Sequence, residues 1–168
     1  EPERFDAVDA VLEPVARWRN AAQTAGKTLQ VLNNVNPAQE FFLHGSPILL
    51  GEVISNLLDN AIRYGGSHIE LQLHHHQNDL IVQVQDNGPA LDAHAREHLL
   101  LPFWRGNHGQ PEGSGLGLSI AQRIIERLGG LFALADKPGL GACFQITLPC
   151  EVQSFSSRDI EEADGTQA

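Results

Sequence analysis

The chain has 168 residues, about the length of one domain, and 42% of them are hydrophobic, which is enough for an ordinary core. The formal net charge of −10 argues against nucleic-acid binding, which needs a basic patch against phosphate. No apolar run reaches the ~18 residues that cross a bilayer, and no signal peptide opens the chain. Because the chain starts at Glu1 and contains no Met, we expect a fragment of a longer protein. Its two cysteines form neither a CxxC pair nor a metal spacing, which favours a reducing compartment.

The predicted elements alternate one helix with two strands, three times over. They are a helix at 8–25, strands at 28–35 and 39–44, a helix at 46–64, strands at 68–74 and 80–86, a helix at 115–128, and strands at 131–136 and 141–148. Pro14 predicts a kink or break in the first helix, and Gly26 its end. Ser46 and Pro47 predict the N-cap and first residue of the second helix.

This order of elements predicts an α+β fold, a two-layer α/β sandwich. Short connections between paired strands, including a hairpin at 68–86 and a joint at Asn36-Pro37, favour mostly antiparallel pairing. Residues 87–114 are irregular, with one short helix near 92–99. We expect one domain over residues 1–150 and a disordered acidic tail over 151–168, which lacks apolar periodicity.

The helix at 46–64 carries an apolar half with two amides at its border. The apolar half contains Val53, Ile54, Leu57, Leu58, Ala61 and Ile62. Asn56 and Asn60 lie four residues apart and stack on one stripe, which Tyr64 continues. Half-buried amides need polar partners, and a Mg²⁺ ion with a polyphosphate would serve, because amide oxygens are hard ligands. Alternatively, these amides bond only to nearby backbone groups.

A glycine-rich segment, GSGLG at 113–117, leads directly into the next predicted helix. Its glycines and the free N–H groups of the helix start favour an anion site, although a flexible connector fits the same pattern. The segment is not a dinucleotide fingerprint, because Ile120 occupies the position of the third glycine. It is not a Walker loop either. The one GKT in the chain, at 26–28, ends a helix and is interpreted as coincidence.

Two further segments favour nucleotide binding. Asp86 ends an apolar strand, where a carboxylate can accept a hydrogen bond from the amine of adenine, or can simply form an Asx turn. Residues 101–112 have the composition of a mobile lid with Arg105 able to reach phosphate. A surface loop pinned by Phe103 and Trp104 is the alternative.

These segments, in this order, resemble the catalytic ATP-binding domain of sensor histidine kinases, in the GHKL superfamily. GEVISNLLDNAIRYG (51–65), DNGPA (86–90), LPFWRG (101–106) and GSGLGLSIA (113–121) are similar to the family's N, G1, F and G2 boxes, and the segment 128–149 is similar to its last strand pair. The resemblance covers about residues 5–149. It implies a Bergerat fold: a mixed, mostly antiparallel sheet backed by about three helices, with ATP between the N-box helix and a movable lid.

The resemblance also implies roles for individual residues. Asn60 would ligate Mg²⁺, and Asn56 would be catalytic and support the phosphate end. Arg63 would reach phosphate, Tyr64 would lie by the adenine, and Asp86 would bond the adenine amine. The remaining nucleotide-binding positions would be Gly88, Arg105, Gly113, Gly115, Leu116 and Gly117.

By this resemblance the chain binds ATP and Mg²⁺ and donates the γ-phosphoryl group to a histidine on a separate dimerisation and phosphoacceptor domain. A response regulator would be an indirect partner; no nucleic acid and no membrane contact are expected of this fragment. None of the eight His has the sequence context of the family's acceptor, and the run at 74–76 places consecutive residues on alternate strand faces, which disfavours a metal site. We expect a cytoplasmic domain of an inner-membrane sensor.

Two alternatives remain at this stage. One is a hydrolytic ATPase clamp of the same superfamily, although Asn56 stands where such relatives have a Glu that activates water, and an amide cannot act as a general base. The other is a degenerate domain that only docks a partner. Ala90, in place of the second glycine of DxGxG, and Ala142, in place of a frequent Thr, favour that alternative.

Overall fold

Eight strands and four helices make up the part of the chain that the computed structural model describes, residues 2–89, 116–135 and 141–155. The strands are β1 (Glu3–Asp6), β2 (Thr28–Asn33), β3 (Gln39–Gly45), β4 (His68–His76), β5 (Asp79–Asp86), β6 (Leu131–Leu134), β7 (Cys143–Pro149) and β8 (Glu151–Ser154). The helices are α1 (Ala7–Leu12), α2 (Val15–Thr24), α3 (Pro47–Tyr64) and α4 (Leu116–Arg127). The predicted helix near 92–99 and the predicted lid lie outside the described residues.

The larger sheet has five strands in the order β2-β4-β5-β7-β6, with β2 parallel to β4 and every other pair antiparallel. One face is apolar and carries buried side chains such as Leu71, Val82 and Ile146 against the helices. On β5 and β7, Gln83 donates a side-chain hydrogen bond to Gln145 across the pair at 2.7 Å. One apolar and one polar face are typical of a sheet with helices on one side only. The predicted two-layer α+β architecture is therefore confirmed.

A second sheet, of three strands in the order β1-β3-β8, was not expected from the sequence. The predicted strands at 28–35 and 39–44 exist, but they are not partners, because β2 pairs with β4 and β3 pairs with β1 and β8. Between them, the side chains of Asn33 and Asn36 accept hydrogen bonds from the backbone two residues on, at 3.1 and 2.9 Å. Such Asx turns redirect the chain. The short connection therefore leads from one sheet to the other.

The predicted domain boundary at residue 150 is too early. Glu151–Ser154 forms β8 and pairs with β3, and Val152 packs against the core. The N–H of Phe155 donates to the carbonyl of Ala38 at 2.7 Å. The acidic composition of the tail concealed a strand of only four residues, which is too short for a periodic pattern to reveal.

The local helix signals are confirmed. The first predicted helix is broken at Pro14 into α1 and α2, and Gly26 follows α2 with φ of +73°. Ser46 caps α3 by accepting a hydrogen bond from the N–H of Leu49 at 3.2 Å. The predicted apolar half of α3 is buried, except that Ile62 is only half-buried at the edge of the core. This helix crosses the apolar face of the larger sheet and packs against α1, α2 and α4.

Candidate nucleotide site

Helix α3 brings two of the predicted motifs together. Its border residues Asn56 and Asn60 are half-buried, as the helical spacing predicts. Helix α4 packs against α3, so that Gly117, in the first turn of α4, faces Asn56. A β-carbon built on Gly117 would lie 3.7 Å from the amide carbon of Asn56. The N-box amide and the first turn of the glycine-led helix therefore meet in space.

The second predicted contact, Asp86, lies at the C-terminal end of α3, beside Gly65. It ends β5 and is 7% exposed. One carboxylate oxygen accepts from the N–H of Gly88 at 2.7 Å, which is the Asx turn that the sequence left open as an alternative. The backbone of Asp86 pairs with the segment before β7, since its N–H donates to Ala142 and its carbonyl accepts from Gly141, both at 3.1 Å. The main chain of Asp86 is thus fixed by the segment before β7, and its carboxylate by the N–H of Gly88.

Four glycines surround this carboxylate. A β-carbon on Gly65 would come within 2.7 Å of the Asp86 carboxyl carbon, and one on Gly88 within 2.9 Å of a carboxylate oxygen. A β-carbon on Gly66 would lie 2.7 Å from the Gly88 nitrogen, and one on Gly141 2.8 Å from the Asp86 carbonyl oxygen. We call this group, Asp86 with Gly65, Gly66, Gly88 and Gly141, the Asp86 cradle. Its walls are backbone, because only residues without a β-carbon allow these segments to lie this close to Asp86.

Burial raises the pKa of Asp86 above its ordinary value of 3.8. The backbone N–H groups of Gly88 and Gly66 and the positive charge of Lys27 act in the opposite direction, but desolvation dominates. A carboxyl group perturbed by burial at the end of a strand is a frequent feature of functional sites. The pKa shift is thus consistent with a carboxylate held ready for a ligand.

Lys27 is a component of this region that sequence reasoning missed. Its ammonium group donates to the carbonyl of Ile62, in the last turn of α3, and to the carbonyl of Gly65 at 3.2 Å. The available signal was weak: a lysine often binds the free carbonyls at a helix C-terminus, but nothing local indicates which helix it reaches. The parallel pairing of β2 with β4 brings Lys27 to the end of α3, since Thr28 pairs with His68.

Arg63 and Tyr64 occupy the last turn of α3. The Nε of Arg63 donates to the carboxylate of Asp59, one turn earlier, at 2.9 Å. Tyr64 is 42% exposed, which is high for a large aromatic side chain. Both positions are close in sequence to Gly65 and hence to the Asp86 cradle. Their predicted contacts with phosphate and adenine stay predictions.

The remaining predicted positions cannot be placed. Arg105, Gly113 and Gly115 lie outside the described residues, as does Ala90, and Leu116 is described only as the first residue of α4. Ala142 is half-buried, and its carbonyl accepts from the backbone of Asp86. The main chain at this position therefore supports the cradle.

The donor set suits Mg²⁺ only in combination with substrate oxygens. Within residues 2–89, 116–135 and 141–155, no group of three or more His, Cys, Asp or Glu could hold a metal ion, and the His74–His76 run forms no such group. Asn60 offers one amide oxygen. Mg²⁺ commonly binds in this way, through one or two protein oxygens, waters and the phosphates of a nucleotide. The residues present therefore fit a nucleotide-bound Mg²⁺.

Residues 45–152 match the family model described as histidine kinase-, DNA gyrase B-, and HSP90-like ATPase. Among curated proteins, the chain is 33% identical over 143 residues to the sensor protein KdpD of Escherichia coli (strain K12), covering 79% of this chain and 16% of KdpD. It is 38% identical over 108 residues to the sensor histidine kinase GlrK of the same organism, covering 61% of this chain and 23% of GlrK. The chain thus spans less than a quarter of the length of either relative.

Solved structures share the fold. The catalytic domain of the histidine kinase ThkA superimposes with a TM-score of 0.74 at 22% identity, covering 89% of this chain and 95% of that one. The mycobacterial sensor histidine kinase MprB gives a TM-score of 0.72 at 22% identity, covering 91% of this chain and 100% of the other. At this identity the likeness concerns the fold, and it confirms the expected Bergerat architecture.

Proposed function

The chain belongs to the histidine kinase-, DNA gyrase B-, and HSP90-like ATPases, and from this membership we propose that it binds ATP with Mg²⁺ and donates the γ-phosphoryl group to a histidine outside this chain. Its sequence relatives identify it more narrowly as the ATPase domain of a two-component sensor histidine kinase. The resemblance that the sequence motifs predicted is thereby confirmed. ATP binding at the residues named below, transfer to histidine and the parent's partners belong to the proposal.

One observation supports the proposal above all others: a single helix connects both ends of the site. Asn56, near the middle of α3, lies beside Gly117. The C-terminal end of α3 leads through Gly65 and Gly66 into the Asp86 cradle. An α-helix rises 1.5 Å per residue, so Asn56 and Gly65 are separated by about 13 Å along the axis. This separation suits an extended nucleoside triphosphate. The adenine would lie at the cradle and the phosphates near α4.

In this arrangement each described residue has a distinct task. The Asp86 carboxylate accepts the adenine amine hydrogen bond, and Gly88 lets the ring approach. Asn56 and the first turn of α4 meet the phosphates, where free backbone N–H groups and the positive end of the helix dipole favour negative charge. Asn60 holds Mg²⁺. When bound, Mg²⁺ neutralises charge on the phosphate oxygens and keeps them oriented.

Transfer needs positioning more than acid–base chemistry. An imidazole nitrogen of the acceptor histidine forms a bond to the γ-phosphorus while the bond from that phosphorus to the bridging oxygen breaks, and ADP leaves. The half-buried Asn56 amide cannot take a proton from water, so it disfavours the hydrolytic alternative. Glu52, one turn earlier on α3, is exposed. The acceptor histidine comes from a separate dimerisation and phosphoacceptor domain, from which a response regulator would take the phosphoryl group.

The cellular setting is part of the same proposal. None of the described helices has both the length and the hydropathy to cross a bilayer. The relatives KdpD and GlrK are named as sensor proteins, and this chain corresponds to less than a quarter of each. From the likeness to these sensor proteins we propose that the chain is a cytoplasmic domain of a longer, membrane-anchored sensor.

The experiment that tests this function is a titration with a non-hydrolysable ATP analogue, with Mg²⁺ and with EDTA, on the unaltered chain and on Asn60→Ala. We expect Asn60→Ala to fold normally and to lose the Mg²⁺-dependent part of the affinity, because Asn60 supplies the amide ligand. The matched control is Asn78→Ala, in the turn before β5 at the strand end opposite Asp86, which should bind like the unaltered chain. A phosphotransfer assay with the parent's phosphoacceptor domain is the second readout.

Unchanged Mg²⁺-dependent affinity in Asn60→Ala would contradict the metal assignment. No binding of the analogue by the unaltered chain would favour the degenerate docking alternative. Rapid, steady hydrolysis of ATP by the chain alone, without any acceptor, would favour the hydrolytic clamp.

A further inference from the structure

Lys27 lies where its positive charge can act both on the C-terminal end of α3 and on Asp86. It follows Gly26, whose φ of +73° ends α2, and its own N–H donates to the carbonyl of Ala22 at 2.8 Å. This backbone bond fixes the start of β2 to the end of α2. The side chain extends from this fixed point to the C-terminus of α3, where it is partly buried.

Lys27 binds carbonyl groups that have no hydrogen-bond partner within the helix. The last four carbonyls of an α-helix have no partner within the helix, and its C-terminus carries partial negative charge. The ammonium donates to Ile62, one of these carbonyls, and to Gly65, the first residue past the helix, at 3.2 Å. One side chain therefore fixes the position of both the last turn and the residue that follows it.

That residue forms one wall of the Asp86 cradle. A β-carbon on Gly65 would lie 2.7 Å from the carboxyl carbon of Asp86, so even a small displacement of Gly65 changes the space around the carboxylate. The charge of Lys27 also lowers the pKa of Asp86, against the larger effect of burial. Lys27 thus supports the cradle by contact and by charge.

We propose that Lys27 is a positioning residue for adenine recognition: its ammonium holds Gly65 and the end of α3 at the distance from Asp86 that the base requires. The inference rests on the proposed nucleotide-binding function, which assigns the adenine to Asp86. No sequence motif indicates this role. The GKT at 26–28 includes Lys27 but has no phosphate-binding context.

On the surrounding elements, two other basic side chains lie beside an acidic side chain of the same element. On α3, Arg63 binds Asp59 at 2.9 Å, and on β4, His68 lies 3.9 Å from Glu70. On α4 the charged residues are Arg123, Glu126 and Arg127, and on β5 Asp79 occupies the end opposite Asp86. Lys27 is the cation whose charge acts on Asp86 within the described part of the chain.

The test compares Lys27→Met with Ser46→Ala and Lys27→Arg. Ser46→Ala removes the N-cap of the same helix at its far end, so it also destabilises α3 but leaves the cradle untouched. For each variant we would measure urea unfolding and the dissociation constants of ATP and of inosine triphosphate, which has a carbonyl in place of the adenine amine.

We expect Lys27→Met to lower the preference for ATP over inosine triphosphate by about tenfold, the size of one hydrogen bond to a charged group. The acid limb of its ATP-binding profile should move to higher pH, because Asp86 loses a nearby positive charge. Lys27→Arg should restore most of the preference. Ser46→Ala should lower stability and leave the preference unchanged.

Equal preferences in Lys27→Met and Ser46→Ala would overturn the inference and show that Lys27 only stabilises the helix. The same holds if Lys27→Met loses affinity for both nucleotides equally. If the unaltered chain binds neither nucleotide, the proposed function fails together with the inference, and this outcome differs from the other two.

Discussion

The surroundings of the Asp86 carboxyl group have two opposing effects on its pKa. It is almost fully buried, which disfavours its ionised form, and it accepts N–H groups from the backbone around it, which favours that form. The net effect is a raised pKa. A group whose pKa is higher in the folded state favours folding when it is protonated, at pH below its ordinary value of 3.8. That contribution is lost as the pH rises through the folded-state pKa.

We therefore predict that Asp86→Asn separates binding from stability. At neutral pH the neutral amide should make the fold at least as stable as the unaltered chain, because no charge has to be buried. This difference should shrink as the pH falls through the raised folded-state pKa of Asp86, because the carboxyl group then becomes protonated as well. Affinity for ATP should fall by about a hundredfold, since a buried acceptor is replaced by a group that presents a donor. Thermal unfolding at several pH values and calorimetric titration measure the two effects.

Asp79→Asn, at the other end of the same strand, is the control and should leave ATP affinity unchanged. A marked loss of stability in Asp86→Asn at neutral pH would show that the backbone hydrogen bonds outweigh desolvation.

At the scale of elements, α3 was predictable almost completely. Ser46 and Pro47 fix its start, the glycine pair at 65–66 fixes its end, and the spacing of apolar residues fixes the buried face. These are local signals, readable within one helix. The neighbours of α3 were not predictable in this way, because the contact between Asn56 and Gly117 depends on how two distant helices pack.

Gly117→Ala tests that contact. Its added methyl group would lie 3.7–3.9 Å from the Asn56 amide, an ordinary packing distance, so the fold should tolerate it. Alanine is the better helix former, and stability should rise by up to about 1 kcal/mol. The methyl group would nevertheless occupy the space beside the first turn of α4, and we expect triphosphate affinity to fall about tenfold. Urea unfolding measures the expected gain in stability, and calorimetry measures the expected loss of affinity.

The matched control is Gly51→Ala, in the second turn of α3, where a β-carbon would lie 3.8 Å from the carbonyl of Ala10. It should give a similar gain in stability without loss of affinity. If Gly117→Ala binds nucleotide as well as Gly51→Ala does, the phosphates do not lie against α4.

At the scale of the whole molecule, the sequence predicted the class of fold but only one of the two sheets. Regular alternation revealed β4 and β5, whose partners follow directly along the chain. The three-stranded sheet joins β1, β3 and β8, which are far apart in sequence, and two of these strands have four residues each. Strands this short show no detectable alternation of apolar and polar residues, and pairing between distant segments produces no local sequence pattern. The place of Lys27 was hidden for the same reason, because it depends on the parallel pairing of β2 with β4.

The second sheet makes the C-terminal segment part of the folded unit. We predict that a chain ending at Cys150 loses about 1–3 kcal/mol of stability, from the unmade backbone pairing with β3 and the lost burial of Val152. A chain ending at Phe155 keeps β8 and should unfold at the same urea concentration as the full chain. Equal midpoints for both truncations would show that β8 adds nothing to the fold.

Strand β3 ends at Gly45, Ser46 is the N-cap, and α3 begins at Pro47. No loop separates the small sheet from the helix that carries both amides. A displacement of the small sheet would reach α3 through Gly45 and Ser46 alone, and Gly45, with φ of +154°, is the residue at which the two could bend relative to each other. A spectroscopic probe attached to β1 or β8, compared with one on α3, would report whether the small sheet and the helix with both amides move together.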